Sequence, residues 1–222
     1  MKAAVLAVCP EARFVDISHS TPPFDVRAGG FVLWAGSRDF PPGTVHLAVV
    51  DPGVGSDRRA LALEVGGSFF VGPDNGLFWL VVQRAEIVRA VALKRPRVAS
   101  PTFEGRDVFA PAAGRLAGGA PLASLGRPVE DLVALPDPMG PVVLWVDNFG
   151  NLVTNLEPPI GTLSIGGRAV PGPLRTFADA RRGDLFWYVG SLGLVEIGVR
   201  EGRADQVLSA RPGTTVVVRA EP

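Results

Sequence analysis

One stretch constrains this chain more than any other: the sequence VVDPGVGSDRR from Val49 to Arg59. The apolar residues from 45 to 50 predict a buried strand that ends at Asp51. Pro52 and Gly53 then predict a tight turn, because proline fixes φ and glycine accepts positive φ. Asp51 is therefore expected at the carboxyl end of a strand, where open α/β sheets place their ligands.

Arg58 follows Asp51 by seven positions, so its guanidinium can fold back beside the carboxylate. Two interpretations of this spacing stay open at this point. The pair is either a surface ion pair in an ordinary turn or a carboxylate anchored in a ligand site. Turns of this composition are common, so the stretch alone does not decide between them.

Composition narrows the class of protein. The chain has 222 residues, 47% of them hydrophobic, which is enough for one or two domains with a real core. Its 22 basic and 22 acidic residues cancel, which argues against a nucleic-acid partner. The single cysteine, Cys9, excludes an internal disulfide and a cysteine-built metal site and fits a cytoplasmic protein. No apolar run is long enough for a membrane span, and the start lacks the features of a signal peptide.

Residues 1–136 read as an α/β domain, a central sheet flanked by helices. The pattern predicts a short element over residues 3–8, either helix or strand, and then the elements listed next. These are a buried strand over Phe14, Val15 and Ile17, a helix over Asp25–Gly36, a hairpin around Gly66-Gly67, a short helix after VGPDNG, a strand over Val88–Leu93 and a helix that Asp107 caps.

Residues 137–222 change character after the proline-rich linker LPDPMGP. Short apolar stretches alternate with turns, which predicts a small all-β barrel or sandwich domain. The predicted strands are 142–146, 152–155, 163–165, 185–188, 194–199 and 214–219.

Seven short motifs occur in order along the chain: DISH, PPFDV, VVDPGVGSDRR, VGPDNGL, TFEGRDVFAPAA, VDNFGNLVTN and GSLGLVEIGV. Together they resemble the adenosine-forming S-adenosylmethionine (SAM) hydrolases, a group related to fluorinase and chlorinase. Each motif is weak alone, but the ordered set is specific and covers nearly the whole chain. The resemblance implies that water attacks the 5′ carbon of the SAM ribose and releases methionine and adenosine, without metal or cofactor. It also implies a homotrimer whose active sites lie between the first domain of one subunit and the second domain of a neighbour.

The resemblance assigns catalytic roles to three residues. Asp51 matches the aspartate that activates water, and Arg58 matches the arginine that positions this carboxylate or balances its charge. Glu104 stands where the family usually has the histidine of TFHGRD. It is either a substitute base, the mark of an impaired site or a residue that faces solvent. Two carboxylates beside one water would repel each other, unless Arg58 lies between them.

The second domain supplies the other predicted contacts with substrate. By resemblance, Asp147 meets the methionine amine, Phe149 stacks on adenine and Asn151 bonds the base. Ser191 matches a contact to the methionine carboxylate, and Ala204 offers backbone groups to the adenine edge. The alternative for this set is structural: a turn closed by its own polar groups.

In the first domain, Phe24 and Phe103 match aromatic walls beside the substrate, where a ring face attracts a sulfonium cation. The alternative for Phe24 is a core phenylalanine. His46 lies within the apolar strand and is expected to be a core histidine, whereas His19 is expected to hydrogen-bond near Asp16. Two histidines and scattered carboxylates show no metal-site spacing.

The beginning of the chain departs from the family. The stretch MKAAVLAVCPEARFVDISH resembles one that normally follows a first strand and a TDFG-like motif that helps to hold the ribose. We therefore expect the sheet to lack one strand and to expose an edge. Three other functions remain as alternatives. One is a binder of SAM or adenosine without turnover, favoured by Glu104 and the short start, and another is a halide-using enzyme, disfavoured because Asp51 repels a halide. The third is a structural trimer subunit that binds no ligand.

Overall fold

The computed structural model describes residues 1–86 and 88–219, and its internal contacts divide the chain between Leu135 and Pro136. The end of the predicted second domain, residues 220–222, lies outside the described residues. The helices are α1 (Lys2–Leu6), α2 (Val26–Ser37), α3 (Trp79–Gln83), α4 (Ala110–Ala117) and, in the second unit, α5 (Ala204–Val207). No helix within the described ranges is long and apolar enough to cross a membrane.

The first unit is built on a mixed sheet in the order β1-β3-β2-β4-β5. Its strands are β1 (Val45–Leu47), β2 (Ala60–Val65), β3 (Ser68–Pro73), β4 (Val88–Leu93) and β5 (Gly126–Pro128). Strand β1 runs parallel to β3, and the other neighbours are antiparallel. The predicted hairpin is confirmed: β2 and β3 turn at Gly66-Gly67, where both φ angles are positive.

Alternation along the strands explains why helices cover this sheet. On β2, Ala60 and Ala62 join a core with α1, α4 and the turn before α4, so they point to one face. On β3, Phe70 points to the other face and meets Phe78, just before α3. Both faces of the central strands are therefore buried, as predicted for an α/β unit.

The predicted strand over Phe14, Val15 and Ile17 is wrong. These residues run as irregular chain and are exposed. A strand needs a neighbour for its backbone hydrogen bonds, and no described strand pairs with this segment. Over residues 3–8, where the pattern predicts either a helix or a strand, the structure has a helix, α1, which ends at Leu6.

The helix predictions hold, with one change. Helix α2 begins after Asp25, whose side chain accepts a hydrogen bond of 2.9 Å from the amide of Ala28. The predicted cap Asp107 instead lies inside a π-helical turn, Gly105–Phe109, that leads into α4. It accepts the amide of Ser100 at 2.8 Å and therefore fastens the preceding loop to the helix.

The second unit contains two sheets. One has the order β10-β11-β7-β6 and the other the order β12-β8-β9. The strands are β6 (Val143–Val146), β7 (Leu152–Thr154), β8 (Thr162–Ile165), β9 (Arg168–Val170), β10 (Leu185–Val189), β11 (Val195–Val199) and β12 (Val217–Arg219). Apolar side chains from both sheets form one core, as in a sandwich. Within the described ranges the strands do not close into a barrel, and α5 means that the unit is not purely β.

Candidate active site

The strand predicted over residues 45–50 is shorter than expected: β1 ends at Leu47, four residues before Asp51. The chain between them is fixed by its neighbour in the sheet. The amide of Ala48 donates to the carbonyl of Val71 at 3.0 Å, so pairing with β3 continues past the end of β1. One step before the aspartate, the carbonyl of Val50 accepts the side-chain amide of Asn75 at 2.9 Å. Asn75 also accepts the amide of Leu77 at 3.2 Å. The turn in VGPDNGL therefore holds the segment that leads into Asp51.

Asp51 and Arg58 form the predicted pair, and it is buried. The Arg58 Nε donates to Asp51 Oδ1 at 2.8 Å, and Arg58 Nη2 donates to Oδ2. Their side chains are 5% and 8% exposed, and the guanidinium lies 5.3 Å from the ring centre of Phe109. The interpretation as an exposed surface ion pair is therefore wrong. A bidentate arginine fixes the orientation of a carboxylate that still has free lone pairs for a water molecule.

The turn between these two residues depends on Gly55. Its φ is +83°, and a Cβ there would lie 2.9 Å from the carbonyl oxygen of Pro101. Ser56 closes the turn by donating its hydroxyl to the carbonyl of Gly53 at 2.7 Å. Only glycine allows this loop to pack so closely on the segment that carries Glu104.

Glu104 also joins the site, so the expectation that it faces solvent is wrong. It precedes the π-helical turn and its side chain is 5% exposed. Arg58 Nη2 donates to Glu104 Oε2 at 2.5 Å, so the guanidinium lies between the two carboxylates. This is the arrangement that avoids direct repulsion. Burial lowers the pKa of Arg58, but its bonds to Asp51 and Glu104 raise it, and the net direction is upward.

Arg95, which the sequence analysis did not single out, completes this group. Its Nε donates to Glu104 Oε1 at 2.7 Å, and its Nη2 donates to the carbonyl of Arg58. It follows β4 in the basic stretch KRPR, where a sequence pattern gives no sign of a partner nine positions away.

The aromatic residues of the first unit are exposed. Phe24 adopts a positive φ of 67° and is 77% exposed, so it is not a core phenylalanine. Phe103 is half exposed, and the guanidinium of Arg106 lies 4.7 Å from its ring centre. Both rings therefore have free apolar surface for a ligand or for another chain.

In the second unit, Asp147 organises the turn before β7. Its Oδ1 accepts the amides of Phe149 at 2.9 Å and Asn151 at 2.8 Å. Its Oδ2 accepts the Asn151 side-chain amide at 2.9 Å. Asn151 is buried, whereas Phe149 is 77% exposed. Asp147 therefore closes a turn with its own polar neighbours, which is the structural alternative predicted for this set. The same contacts hold the ring of Phe149 outward.

Ala204 lies beside this turn. The amide of Asp205 donates to the carbonyl of Gly150 at 3.0 Å, and Arg203 donates to the carbonyl of Asn148 at 3.0 Å. The first turn of α5, with the buried Ala204, therefore packs on the 147–151 turn. Four of the five residues predicted for this unit lie together.

Ser191 lies apart from the others, in the turn between β10 and β11. It is exposed, and the turn is closed by the amide of Gly190, which donates to the carbonyl of Leu194 at 2.9 Å. On the two strands that this turn joins, the Tyr188 hydroxyl donates to Glu196 at 2.7 Å. Burial and the nearby carboxylate of Asp147 raise the pKa of Glu196, although its bond with Tyr188 lowers it. Tyr188 and Glu196 lie directly opposite each other on β10 and β11, so their side chains share one face of the sheet.

The histidines follow the structural interpretation. His46 is buried between Phe40 and Phe70, with ring centres at 5.4 and 4.8 Å. Its Nε2 has no hydrogen-bond partner among the described residues, and burial lowers its pKa to about 4. His19 lies 3.2 Å from Asp16, as expected. Within the described part of the chain, no cluster of three or more His, Cys, Asp or Glu residues could hold a metal ion.

The first unit also contains a mainly apolar cavity that is separate from this site. It is lined by residues that include Leu61, Phe78, Trp79 and Val133. None of the predicted site residues lines it.

Comparisons with known proteins confirm the family that the seven sequence motifs resemble. Residues 1–126 match the SAM hydroxide adenosyltransferase N-terminal domain and residues 142–217 its C-terminal domain. A Thermus thermophilus protein named (R)-S-adenosyl-L-methionine hydrolase is 43% identical over 97% of this chain and 91% of its own length. A Salinispora arenicola protein of the same name is 43% identical over 96% and 88%. An Actinoplanes fluorinase is 27% identical over 98% and 91%.

Solved structures give the same result. A conserved protein from Thermotoga maritima superposes with a TM-score of 0.89 at 33% identity, covering 98% of this chain and 92% of that one. A protein from Thermus thermophilus superposes with a TM-score of 0.81 at 41% identity, covering 98% and 93%. With both domain models matched and relatives above 40% identity along nearly the full length, this chain belongs to the SAM hydroxide adenosyltransferase family.

Proposed function

We propose that this protein hydrolyses S-adenosyl-L-methionine to adenosine and L-methionine. The observation that carries the proposal is the buried Asp51–Arg58 pair, which lies four residues beyond the end of β1. It occurs in a chain that is 43% identical to proteins named (R)-S-adenosyl-L-methionine hydrolase. The activity follows from the family, and the pair supplies the group that the reaction needs.

The reaction makes one bond and breaks one. A water oxygen bonds to the ribose 5′ carbon, the C–S bond breaks, and its electron pair stays on sulfur. The positive sulfonium thereby becomes the neutral thioether of methionine, so the leaving group needs no acid. The attacking water loses one proton. What the protein has to supply is a base, an in-line orientation and exclusion of bulk water.

We assign the base to Asp51. Its carboxylate accepts two bonds from Arg58 and has lone pairs left to orient a water and to receive its proton. Arg58 cannot compete as an acid, because its pKa is raised above an already high value. Glu104 accepts from Arg58 Nη2, the same nitrogen that donates to Asp51 Oδ2, so its role is to hold Arg58.

For substrate binding we assign the aromatic and turn residues that the sequence singled out. Phe149 offers an exposed ring to adenine, and Asn151, held by Asp147, fixes the turn beside it. Phe24 and Phe103 offer apolar walls in the first unit.

The same proposal includes Ser191 for the methionine carboxylate and the backbone at Ala204 for the adenine edge. Asp147 has both carboxylate oxygens engaged within its turn, so it would contribute charge to the methionine amine rather than a new strong bond.

We further propose a cytoplasmic homotrimer in which the first unit of one subunit and the second unit of a neighbour face the same substrate. The exposed rings of Phe24 and Phe149 support this, because large exposed apolar side chains mark surfaces that bind ligands or partners. Sedimentation of the purified chain tests the trimer, and a monomer that still turns over SAM would contradict it.

The activity test follows product directly. The purified chain is incubated with SAM without added metal, and adenosine and methionine are measured by chromatography. We expect equal amounts of both products, loss of activity in Asp51→Asn and full activity in Asp57→Asn, an exposed aspartate of the same loop. Tight SAM binding without adenosine would instead identify a non-catalytic binder.

A further inference from the structure

The site contains more charged groups than the aspartate and arginine need. Four side chains form a continuous series: Asp51, Arg58, Glu104 and Arg95. Carboxylates and guanidinium groups alternate along it, so the charges sum to zero. The first three side chains are 5 to 8% exposed, whereas Arg95 is 38% exposed and forms the solvent-side end.

Without Arg95, the Glu104 carboxylate would disturb the Asp51–Arg58 pair. A second buried carboxylate on Arg58 competes with Asp51 for the same guanidinium and adds a negative charge beside the proposed base. The charged groups that contact Glu104 are Arg58 on one side and Arg95 on the other, and Asp51 lies beyond Arg58.

Arg95 acts on both neighbours in the series. Its Nε donates to Glu104 Oε1 at 2.7 Å, so the second oxygen of this buried carboxylate is paired with a cation. Its Nη2 binds the backbone carbonyl of Arg58 itself. One side chain therefore fixes both the partner of Arg58 and the main chain from which Arg58 extends.

We propose that Arg95 is a positioning residue of the active site, which neutralises Glu104 so that Arg58 stays committed to Asp51. This inference rests on the proposed function and adds to it the group that makes a glutamate acceptable at position 104. Arg95 contacts neither the reacting atoms nor Asp51, so it acts through its two neighbours.

The test is a double-mutant cycle with Arg95→Ala and Glu104→Gln. In the wild-type background, we expect Arg95→Ala to lower kcat about tenfold with little change in KM, because misplacing a base is costly. In the Glu104→Gln background no extra charge remains and Arg95→Ala removes only the bond to the Arg58 carbonyl, so the same substitution should lower kcat by less than about threefold. The matched control is Arg89→Ala, an exposed arginine of β4 paired with Glu64, which should leave kcat unchanged.

The pH profile separates charge balance from simple packing. With Arg95 removed, the group carries one uncompensated negative charge, so the carboxylate pair takes up a proton more readily. The acid limb of kcat should therefore move to higher pH in Arg95→Ala and return in the double variant. Arg95→Lys keeps the charge and should keep the profile. Equal losses in both backgrounds, or an unchanged acid limb, would overturn the proposal.

A readout without turnover keeps the two proposals distinguishable. The Nε–H signal of Arg58, assigned with Arg58→Lys, should shift in the ¹⁵N NMR spectrum between wild type and Arg95→Ala. It should shift much less between Glu104→Gln and the double variant. If the wild-type chain makes no adenosine while this coupling is seen, the hydrolase proposal fails and the positioning by Arg95 stands. If the Arg58 signal does not change in Arg95→Ala, the proposed positioning role of Arg95 is wrong, whatever the activity of the wild-type chain.

Discussion

The candidate site residues fall into two groups, one in each unit, and these two halves are built in opposite ways. In the first unit, charged side chains that are far apart in sequence pair with each other and are buried, as with Arg58 and Glu104. In the second unit, the polar groups of one short turn pair among themselves, with Asp147 bonding Asn151, and the ring of Phe149 is left exposed.

This difference indicates that the first half serves proton transfer and the second half serves substrate binding. A buried series of paired charges fixes the direction of one carboxylate, which is what a proton-transfer step requires. A self-closed turn that presents an aromatic ring offers contact area and little chemistry, which is what binding requires. Changes in the first half should therefore act on kcat, and changes in the second half on KM.

The largest effect is expected from Asp51→Asn, which keeps the shape and removes the base. We expect kcat to fall by about 10³-fold while SAM binding is retained, since general-base catalysis typically contributes 10²- to 10⁴-fold. Steady-state kinetics with calorimetric binding measures both quantities. A higher KM with an unchanged kcat in Asp51→Asn would contradict the proposal that the first half acts on kcat and the second half on KM.

The next effect concerns the loop that joins the charged groups. Gly55→Ala forces a positive φ on alanine and brings its Cβ to 2.9 Å from the carbonyl oxygen of Pro101. We expect a loss of about 3 kcal/mol in the free energy of unfolding, from strain plus overpacking. Urea denaturation measures it. Gly43→Ala is the control, because it has a similar φ of +86° but no atom within 4 Å and so reports strain alone.

His46 tests whether the scaffold of the first half is sensitive to acid. Its pKa is lowered to about 4 by burial, against an ordinary value of 6.5, so the unfolded chain takes up a proton that the folded chain refuses. Stability is complete above pH 6.5 and is lost as the pH falls toward 4. From pH 7.5 to 5 this amounts to about 2 kcal/mol.

Denaturation of His46→Phe at the two pH values checks this prediction. The variant should lose that part of the pH dependence, since the phenyl ring keeps the contacts with Phe40 and Phe70. Substitution of the exposed His19 by alanine is the control and should keep it. An unchanged pH dependence in His46→Phe would show that another group is responsible.

The smallest effect belongs to the second half. Because Phe149 is 77% exposed, Phe149→Ala should leave the fold intact and raise KM about tenfold through lost stacking on adenine. Phe149→Trp should restore KM, because it keeps an aromatic face. If Phe149→Ala lowers kcat and leaves KM unchanged, the ring belongs with the catalytic half.

Local patterns predicted most of the fold. The alternation in β2 and β3, the glycine pair between them and the Asp25 cap are all signals carried by neighbouring residues. The prediction for Phe14–Ile17 was wrong because an apolar run gives strand propensity but not a partner strand. The short strands β5 and β9 were missed, since Gly126–Pro128 and Arg168–Val170 carry little apolar signal.

The site was predictable to the extent that it depends on spacing. The separation of seven positions from Asp51 to Arg58 indicated a pair, and the structure shows it. That Glu104 would bind the same guanidinium depends on how the loop at Gly55 packs against Pro101, which no local pattern reveals. Arg95 depends on the same packing and was missed for the same reason.

The most direct test of the central claim, attack of water on the ribose 5′ carbon with Asp51 as base, is turnover in water enriched in oxygen-18. The account predicts adenosine that carries the heavy isotope in its 5′-hydroxyl, unlabelled methionine in equal amount, and formation of labelled adenosine that is about 10³-fold slower in Asp51→Asn. Unlabelled adenosine, or labelled adenosine formed equally by the Asp51→Asn variant, would contradict it.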